Sequence, residues 1–556
     1  MTGAPGDGPT TLDVTTVLGA ITADRPDADA LVAGDRRLTR GEIDGRTNRL
    51  ANHLLDAGLG CHAERTALAG HQSGQDHLAI YLHNRVEYLE SMLAAWKARV
   101  APFNVNYRYV AGELRYLLDD AGATAIVVES CFAPTLAEVL DDLPRLGTIV
   151  QVADGSGHDL LPGAVWYDDA LAAAAPSPPT VTPSADDLYI LYTGGTTGMP
   201  KGVLWRNGDA MIECFSGSPT AVTVEDFLAD ANIGFRAIIT PPFMHGAGHW
   251  VAFRVLLGGG TILIPPDVTH LDPAGVWAMA DAERADFMLI VGDAFARPLL
   301  DELDRHHYDL SSLNVIISGG AALSVGRKND LLAHLPTVMI VDGMGSSEAG
   351  GQLAHVSTTN GAATGSFPSR PGTHVLSADL DRELEPGDDE VGWLAKSGRL
   401  ALGYLGDPDK TARTYPSIDG RRFAVPGDRA RLLADGSIEL HGRDAVTISS
   451  GGEKIFAEEV EAAVKTHPAV QDCVVTGRPS DRWGSEVIAV VSLRAGVLAT
   501  HDELREQAAT HLARYKLPKA TVFVDRVLRS PAGKADYRWA KEQALAADAR
   551  TTAPQP

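Results

Sequence analysis

Cysteine is scarce in this chain: four residues in 556 (Cys61, Cys131, Cys214 and Cys473), all far apart. No C-x-x-C pair occurs, which speaks against structural zinc and a disulfide framework and in favour of a reducing cytoplasm. Positive charge is also short. Lys and Arg number 48 against 72 Asp and Glu, a net charge of −24. That balance disfavours non-specific attachment to nucleic acid or to an anionic membrane, although local basic loops can still hold an anionic ligand. No apolar run approaches the ~18 residues that a membrane span needs. The start, Met1-Thr2-Gly3-Ala4-Pro5, lacks the basic and apolar segments of a secretory signal. Internal repeats are absent. No serine sits in a G-x-S-x-G elbow, so a serine hydrolase is disfavoured.

What is present is ordinary for a soluble globular protein: 45% hydrophobic and 22% charged residues. The length demands at least two domains. Residues 1–10 and the tail from about Ala546 are small, polar and proline-bearing, and are expected to be disordered. In between, apolar runs alternate with helical periodicity. A helix is expected from Leu38 to Leu55, a strand at Leu78–Leu82, a helix at Glu87–Ala98, an extended segment at Val100–Asn106, a helix at Glu113–Ala121 and a strand at Ala125–Val128. Such alternation predicts parallel βαβ units in a doubly wound sheet. A Pro/Ser/Ala-rich linker from Ala175 leads to the strand Leu188–Tyr192, and further strands at Ala237–Thr240, Thr261–Ile264, Phe287–Val291 and Val315–Ile317 each end in Gly, Pro or His. Ligands sit at such carboxyl ends in open α/β sheets. From about Thr373 to Leu440 short β-like runs with Asp-Gly and Pro-Gly turns predict a small antiparallel barrel or sheet. The last ~115 residues alternate again and have the length of one small domain.

The most informative stretch is Thr193-Gly194-Gly195-Thr196-Thr197-Gly198-Met199-Pro200-Lys201-Gly202, directly after a buried-strand pattern. Its glycines allow close backbone approach and positive φ. Successive N–H groups can then form an anion-binding concavity, with three hydroxyls and one cation beside it. It contains no Gly-Lys-Ser/Thr step and does not fit G-x-G-x-x-G. Alone it would also read as a glycine-rich surface turn. Further segments stand out downstream: His245 and Trp250 in Pro241-Pro242-Phe243-Met244-His245-Gly246-Ala247-Gly248-His249-Trp250; Ser318-Gly319-Gly320-Ala321; Asp342-Gly343-Met344-Gly345-Ser346-Ser347-Glu348; Gly427-Asp428; Gly442-Arg443; Ser450-Gly451-Gly452-Glu453-Lys454; and Arg529-Ser530-Pro531-Ala532-Gly533-Lys534.

The glycine decamer resembles the Y-T-S-G-T-T-G-x-P-K-G signature of the adenylate-forming superfamily of acyl-CoA synthetases, adenylation domains and luciferases, with Gly194 where most members carry serine. The downstream segments resemble that superfamily's other signatures, in the right order, from about Leu38 to Lys534. The resemblance implies ATP phosphates gripped by Thr193, Gly194, Gly195, Thr196, Thr197, Gly198 and Lys201. It implies adenine between Gly319-Gly320-Ala321 and the Asp342–Ser347 segment, in which Gly343 and Met344 lie against the base, while Gly345 and Ser346 complete the segment and Ser347 touches phosphate. Glu348 would hold Mg²⁺, which suits a cation preferring one or two carboxylates plus phosphate and water. Asp428 would bind ribose and Arg443 ribose or phosphate. His245 and Trp250 would border the acyl pocket, with Ala294 and Phe295 as further walls, and Gly451, Gly452 and Lys454 would line a CoA channel. Lys534 would be the catalytic lysine, alongside Glu348, Thr193 and Lys201. A cation there makes physical sense, since carboxylate and ATP repel, and one ion pair at 4 Å is worth roughly 4 kcal/mol at an effective dielectric of ~20.

The fold implied is α/β: a large N-terminal domain (1–441) of doubly wound αβ subdomains with a small β-barrel, and a small mobile α+β domain (442–556). The activity implied is that of an acyl-CoA synthetase acting on a hydrophobic, fatty or steroid side-chain-like acid, with ATP, Mg²⁺ and CoA. A ligase loading a carrier-protein thiol, a luciferase-type oxidative enzyme and a nucleotide-binding protein with decayed activity remain alternatives. Whether Asp444 or Ala445 is the hinge, and whether the chain forms a homodimer, stay open.

Overall fold

The computed structural model describes residues 10–193, 200–215, 221, 223–231, 234–321, 323–363, 365–443, 446–450, 453–480, 484–512, 514–529 and 533–552. Two eight-stranded sheets dominate. The first has the order Gly403–Tyr404, Lys201–Arg206, Leu188–Thr193, Ala101–Asn104, His77–Tyr81, Ala125–Glu129, Thr148–Val152, Ala164–Trp166. It is parallel from Leu188–Thr193 to the last strand and antiparallel at the other edge. The second has the order Gly350–Ser357, Met339–Ser346, Val315–Gly319, Phe287–Ile290, Arg236–Ile239, Thr261–Ile264, Asp29–Ala33, Arg36–Thr39. It too is parallel in the middle, with an antiparallel hairpin at each edge. The central strands His77–Tyr81 and Ala125–Glu129 are buried at every position, as expected where helices cover both faces of a parallel sheet.

Four helices matter below: α1 (Val14–Asp24), α2 (Arg40–Asp56), α3 (Val86–Lys97) and α4 (Gly246–Leu257). The start of α2 is legible in its residues. Thr39 and Glu42 form a capping box, each side chain bonding the other's backbone N–H at 3.2 and 2.8 Å. Helix α3 is buried from Val86 to Trp96, with Glu87 and Glu90 inside paired to Arg36 and Arg46. It lies in a core shared by the two sheets, in which Leu78, Ile80 and Ala125 of the first join Leu31, Ile239 and Ile262 of the second. At its end Trp96 meets Tyr189, Phe215 and Phe253 with ring centroids 6.2, 6.0 and 5.3 Å away. Its Nε1 donates to the Leu188 carbonyl at 3.2 Å.

The region expected to be barrel or sheet is a five-stranded antiparallel sheet, ordered Ser366–Phe367, Ile438–Arg443, Asp428–Leu432, Gly392–Lys396, Thr373–Leu376. Beyond it lies an α+β unit. Strands Val470–Ser480, Gly484–Leu493 and Ala520–Phe523 form one sheet with helices Ala457–Val464, His501–Ala509 and Tyr537–Thr552 beside it. That last helix corrects the expected disorder from Ala546, because it continues to Thr552. Its inner residues Ala540 and Ala544 are fully buried, and docking on the sheet outweighs the polar composition of its outer face. Among the described residues no helix is long and apolar enough to cross a membrane.

Because Trp96 ties α3 to the strand leading into the glycine loop, Trp96→Ala is expected to destabilise the N-terminal part by about 3–5 kcal/mol. Urea unfolding followed by far-UV circular dichroism checks this. A loss under about 1 kcal/mol would mean that the aromatic cluster does not hold the shared core.

Candidate active site

Thr193 and Lys201 face each other as the last residue pair of the antiparallel strands Leu188–Thr193 and Lys201–Arg206. They flank the glycine loop, of which Gly194, Gly195, Thr196, Thr197 and Gly198 lie outside the described residues. Its root is held by a residue the sequence reading passed over. Buried Asn104 accepts from the Tyr192 N–H at 2.8 Å and donates to the carbonyls of Tyr192 and Met244 at 2.9 and 2.7 Å. A second buried amide, Asn84, donates to the Pro241 carbonyl and accepts from the Phe243 N–H, at 2.9 and 2.6 Å. Together they fix the Pro-Pro-Phe-Met-His segment beside the loop. Lone asparagines in extended segments carry no signature, which is why neither stood out.

His245 caps the start of α4. Its Nε2 is buried and makes no hydrogen bond among the described residues. Burial pulls its pKa down to about 3, with the Lys534 charge adding to the effect. Lys534, from the C-terminal unit, therefore lies close enough to His245 to be felt electrostatically, with its own side chain exposed. Its approach is set by Gly533 (φ +69°), where an added Cβ would stand 2.9 Å from Val291 Cγ1. Arg529 steadies the turn: it donates to the Gly533 carbonyl at 3.0 Å and grips both oxygens of Asp472 at 2.5 and 2.7 Å. Trp250 donates from Nε1 to the Tyr189 hydroxyl at 2.7 Å, and that hydroxyl also bonds His249. Phe295 packs in the core beside the second sheet.

Gly319 and Gly343 are paired neighbours on adjacent strands, as are Ser318 and Asp342. The two segments that the resemblance places on the nucleotide base thus share one sheet edge, with Gly320 (φ +84°) turning away from it and Ala321 following. Asp342, Gly343, Met344, Gly345 and Ser346 are strand, Met339–Ser346, paired with Gly350–Ser357. Gly345 is required by this close hairpin, since a Cβ there would lie 2.4 Å from the Gly350 carbonyl oxygen. The Asp342 carboxylate is ion-paired with Lys328, whose side chain is wholly buried. Burial raises the Asp342 pKa while Lys328 opposes that shift. The Ser346 hydroxyl accepts from the Ala349 N–H at 3.1 Å, which closes the turn.

Glu348 sits in that turn. Tyr404, from the far edge of the first sheet, donates to Glu348 Oε1 at 2.7 Å, and Tyr415 donates to its carbonyl at 3.3 Å. Trp205 likewise donates to the Ser347 carbonyl at 2.8 Å. Glu348 Oε2 has no hydrogen bond among the described residues, leaving one oxygen for a cation. Lys410 lies over the Tyr404 ring at 3.9 Å. Burial lowers its pKa, with Glu348 opposing and Lys201 reinforcing, so the three charges share one site. Lys201 itself donates to Asp120 at 3.1 Å. Burial would lower its pKa, but Asp120 and Tyr116 outweigh that and leave it raised. Tyr404, Lys410 and Asp120 carry no motif of their own: Tyr404 reaches the site through its strand pairing, Lys410 from helix Pro408–Thr414 and Asp120 from the end of helix Ala111–Asp120.

Asp428, buried, begins its strand opposite Arg443. The Arg443 and Lys454 side chains lie outside the described residues, as do Gly451, Gly452, Asp444 and Ala445.

The profile of the AMP-binding enzyme family matches residues 20–405, and that of the AMP-binding enzyme C-terminal domain matches residues 459–534. The medium-chain acyl-CoA ligase Mig of Mycobacterium avium is 50% identical over 547 residues, covering 97% of this chain and 99% of that one. The 3-oxocholest-4-en-26-oate–CoA ligase of Rhodococcus rhodochrous is 40% identical, covering 93% of each. Among solved structures, the anthranilate CoA ligase AuaEII with anthranoyl-AMP shares the fold at a TM-score of 0.81 and 20% identity, over 98% of this chain and 100% of that one. With loop root, acidic turn and C-terminal lysine gathered at one junction, the chain belongs to the AMP-binding enzyme family. Within it, the protein is an AMP-forming acid–thiol ligase, an acyl-CoA synthetase.

Burial also holds the His249 ring down, to about 4. Both imidazoles stay neutral in the fold at pH 5–7, whereas an unfolded chain protonates them near about pH 6.5. Below that pH the unfolded state binds more protons. Stability is therefore fully present above about 6.5 and is lost as pH falls towards 4. We expect His245→Asn to remove about one proton of uptake on unfolding at pH 5, read from the pH dependence of urea unfolding. An unchanged slope would place a charged ring in the folded protein.

Proposed function

We propose that this enzyme activates a medium- to long-chain fatty acid or a steroid side-chain acid as its acyl adenylate and transfers the acyl group to CoA. The relatives' names support the substrate class. The observation that carries the site assignment is the Tyr404–Glu348 hydrogen bond, made from the strand paired with Lys201–Arg206, with the charge of Lys534 felt at His245. The substrate carboxylate would lie near His245 and Trp250 and attack the α-phosphorus of ATP, expelling pyrophosphate. Thr193, the glycine loop and Lys201 would hold the leaving phosphates, Lys201 exchanging Asp120 for them. Gly319, Gly320, Ala321, Gly343 and Met344 would flank adenine, and Asp428 and Arg443 would hold ribose. Lys534 would neutralise repulsion between the two anions, a preorganised role worth ~10²–10³ in rate. Glu348 Oε2 and phosphate oxygens suit Mg²⁺, which would supply charge neutralisation on the phosphates.

The C-terminal unit would then swing about residues 444–445, withdraw Lys534 and bring Gly451, Gly452 and Lys454 to a channel for the CoA thiol. We place the domain boundary at that segment, just after the strand that ends at Arg443. All four cysteines are unpaired, which suits a reducing cytoplasm, the compartment we propose.

Incubation with ATP, Mg²⁺, CoA and a panel of acids is expected to give thioesters of medium- and long-chain or steroid acids, identified by mass spectrometry. Acetate should react at least ~10-fold less well, on the strength of lost apolar contact. Lys534→Ala should abolish pyrophosphate release yet spare thioester formation from synthetic acyl adenylate; equal loss of both would sink the division of labour. Tyr404→Phe leaves Glu348 unoriented and should raise the half-saturating Mg²⁺ concentration about 10-fold. Magnesium titration of pyrophosphate release reads this directly.

A further inference from the structure

Away from the active site, α1, α2, α3 and the end of α4 border a half-open cavity of about 40 Å³, lined by Thr15, Thr22, Arg40, Asp44, Thr47 and Lys97 among apolar neighbours. That space exceeds what one water requires, ~10–15 Å³. Arg40 is the first residue of α2 and only 4% exposed. A cation at a helix N-terminus opposes the helix dipole, so the position gains nothing from its own helix. Its Nη2 donates to the Gly260 carbonyl at 2.7 Å, while Nε is buried with no acceptor. Among the described residues no carboxylate lies within ion-pairing distance of it.

The neighbouring cations are treated differently. Arg36 pairs with Glu87 at 2.6 Å and Arg46 with Glu90 at 2.5 Å. Lys97 donates to the Asp44 carboxylate at 2.7 Å, to Thr47 Oγ1 at 2.8 Å and to Asn48 Oδ1 at 2.6 Å. Asp44 is therefore already neutralised, and the lining carries one uncompensated positive charge, on Arg40. Burial pulls the Arg40 pKa down to about 10, and the like charge of Arg25 adds to this. A buried guanidinium without a counter-charge is a standing cost in the fold. Donors remain for an anion: the Arg40 Nε–H edge and the Thr22 hydroxyl, which makes no hydrogen bond among the described residues. A guanidinium edge matches two oxygens of one group better than a sphere.

We propose that this cavity is a binding site for a small oxyanion, inorganic phosphate or a short carboxylate, held by Arg40 and Thr22 and separate from the nucleotide site. The test compares thermal unfolding of the full-length enzyme and its Arg40→Met variant at constant ionic strength, with saturating AMP throughout to keep the nucleotide site filled. Phosphate and acetate are each set against chloride. The wild type should gain several degrees with phosphate or acetate and none with chloride, Arg40→Met should gain none, and in chloride alone the variant should be at least as stable as the wild type. The relative sizes of the phosphate and acetate responses decide between the two sources. Equal shifts in both proteins, a response to chloride, no response at all, or a variant destabilised in chloride would each overturn the proposal, the last by making Arg40 a structural donor to Gly260. Should Arg40→Met fail to fold, Thr22→Val answers the same question. It should raise the half-saturating oxyanion concentration about tenfold, as loss of a hydrogen bond to a charged group implies, and an unchanged value would overturn the site.

Discussion

The three hydrogen bonds of the Asn104 side chain bear on the geometry of the whole catalytic junction. They join the strand that launches the glycine loop to the carbonyl of Met244, the residue before His245. A buried amide with both ends satisfied is rigid, because losing either partner strands a polar group in the core. Thr193 and His245 are thereby held in one place although one ends a strand of the first sheet and the other follows a strand of the second. Apolar packing over α3 brings the sheets face to face, but such packing is non-directional. The amides of Asn104 and Asn84 supply the direction.

The opposite wall is built from edges. The first sheet ends in the short strand Gly403–Tyr404 and the second in the hairpin around Glu348. Tyr404, Tyr415 and Trp205 cross between them, each donating one hydrogen bond to the Ser347-Glu348 turn. The charges are provisionally partnered: Lys201 with Asp120, Lys410 with the Tyr404 ring and the field of Glu348. Such a site can exchange internal partners for triphosphate oxygens without first burying a bare cation. The C-terminal unit adds one more charge through a turn whose Gly533 lies against Val291.

Much of this was legible in the residues. Apolar periodicity marked the helix that became α2, and uninterrupted apolar runs marked the central parallel strands. The glycine loop, the Gly-rich strand ends and the closing Gly-Lys marked the family. Other features were not legible. The strands Asp29–Ala33 and Arg36–Thr39 close the second sheet by pairing with Thr261–Ile264, more than two hundred residues later, and nothing local signals such a partner. The ion pair that the Asp342 carboxylate makes with buried Lys328, from a separate helix, has no signal in its motif. The helix to Thr552 has the composition of a polar tail, because its burial depends on a sheet formed elsewhere.

The sequence by itself determined the chemistry available: which loops can meet phosphate, which carboxylate can meet a cation, and where the strongly periodic helices and apolar strands lie. Those properties are local, set by backbone freedom, capping and apolar periodicity within a few residues. Only the tertiary structure decided which side chains share a site, that Tyr404, Lys410 and Asp120 stand beside the motif residues, and that Arg40 is buried with no counter-charge among the described residues. Such facts depend on contacts between segments far apart in the chain, and electrostatic interaction falls off with distance in space, not with separation along the sequence.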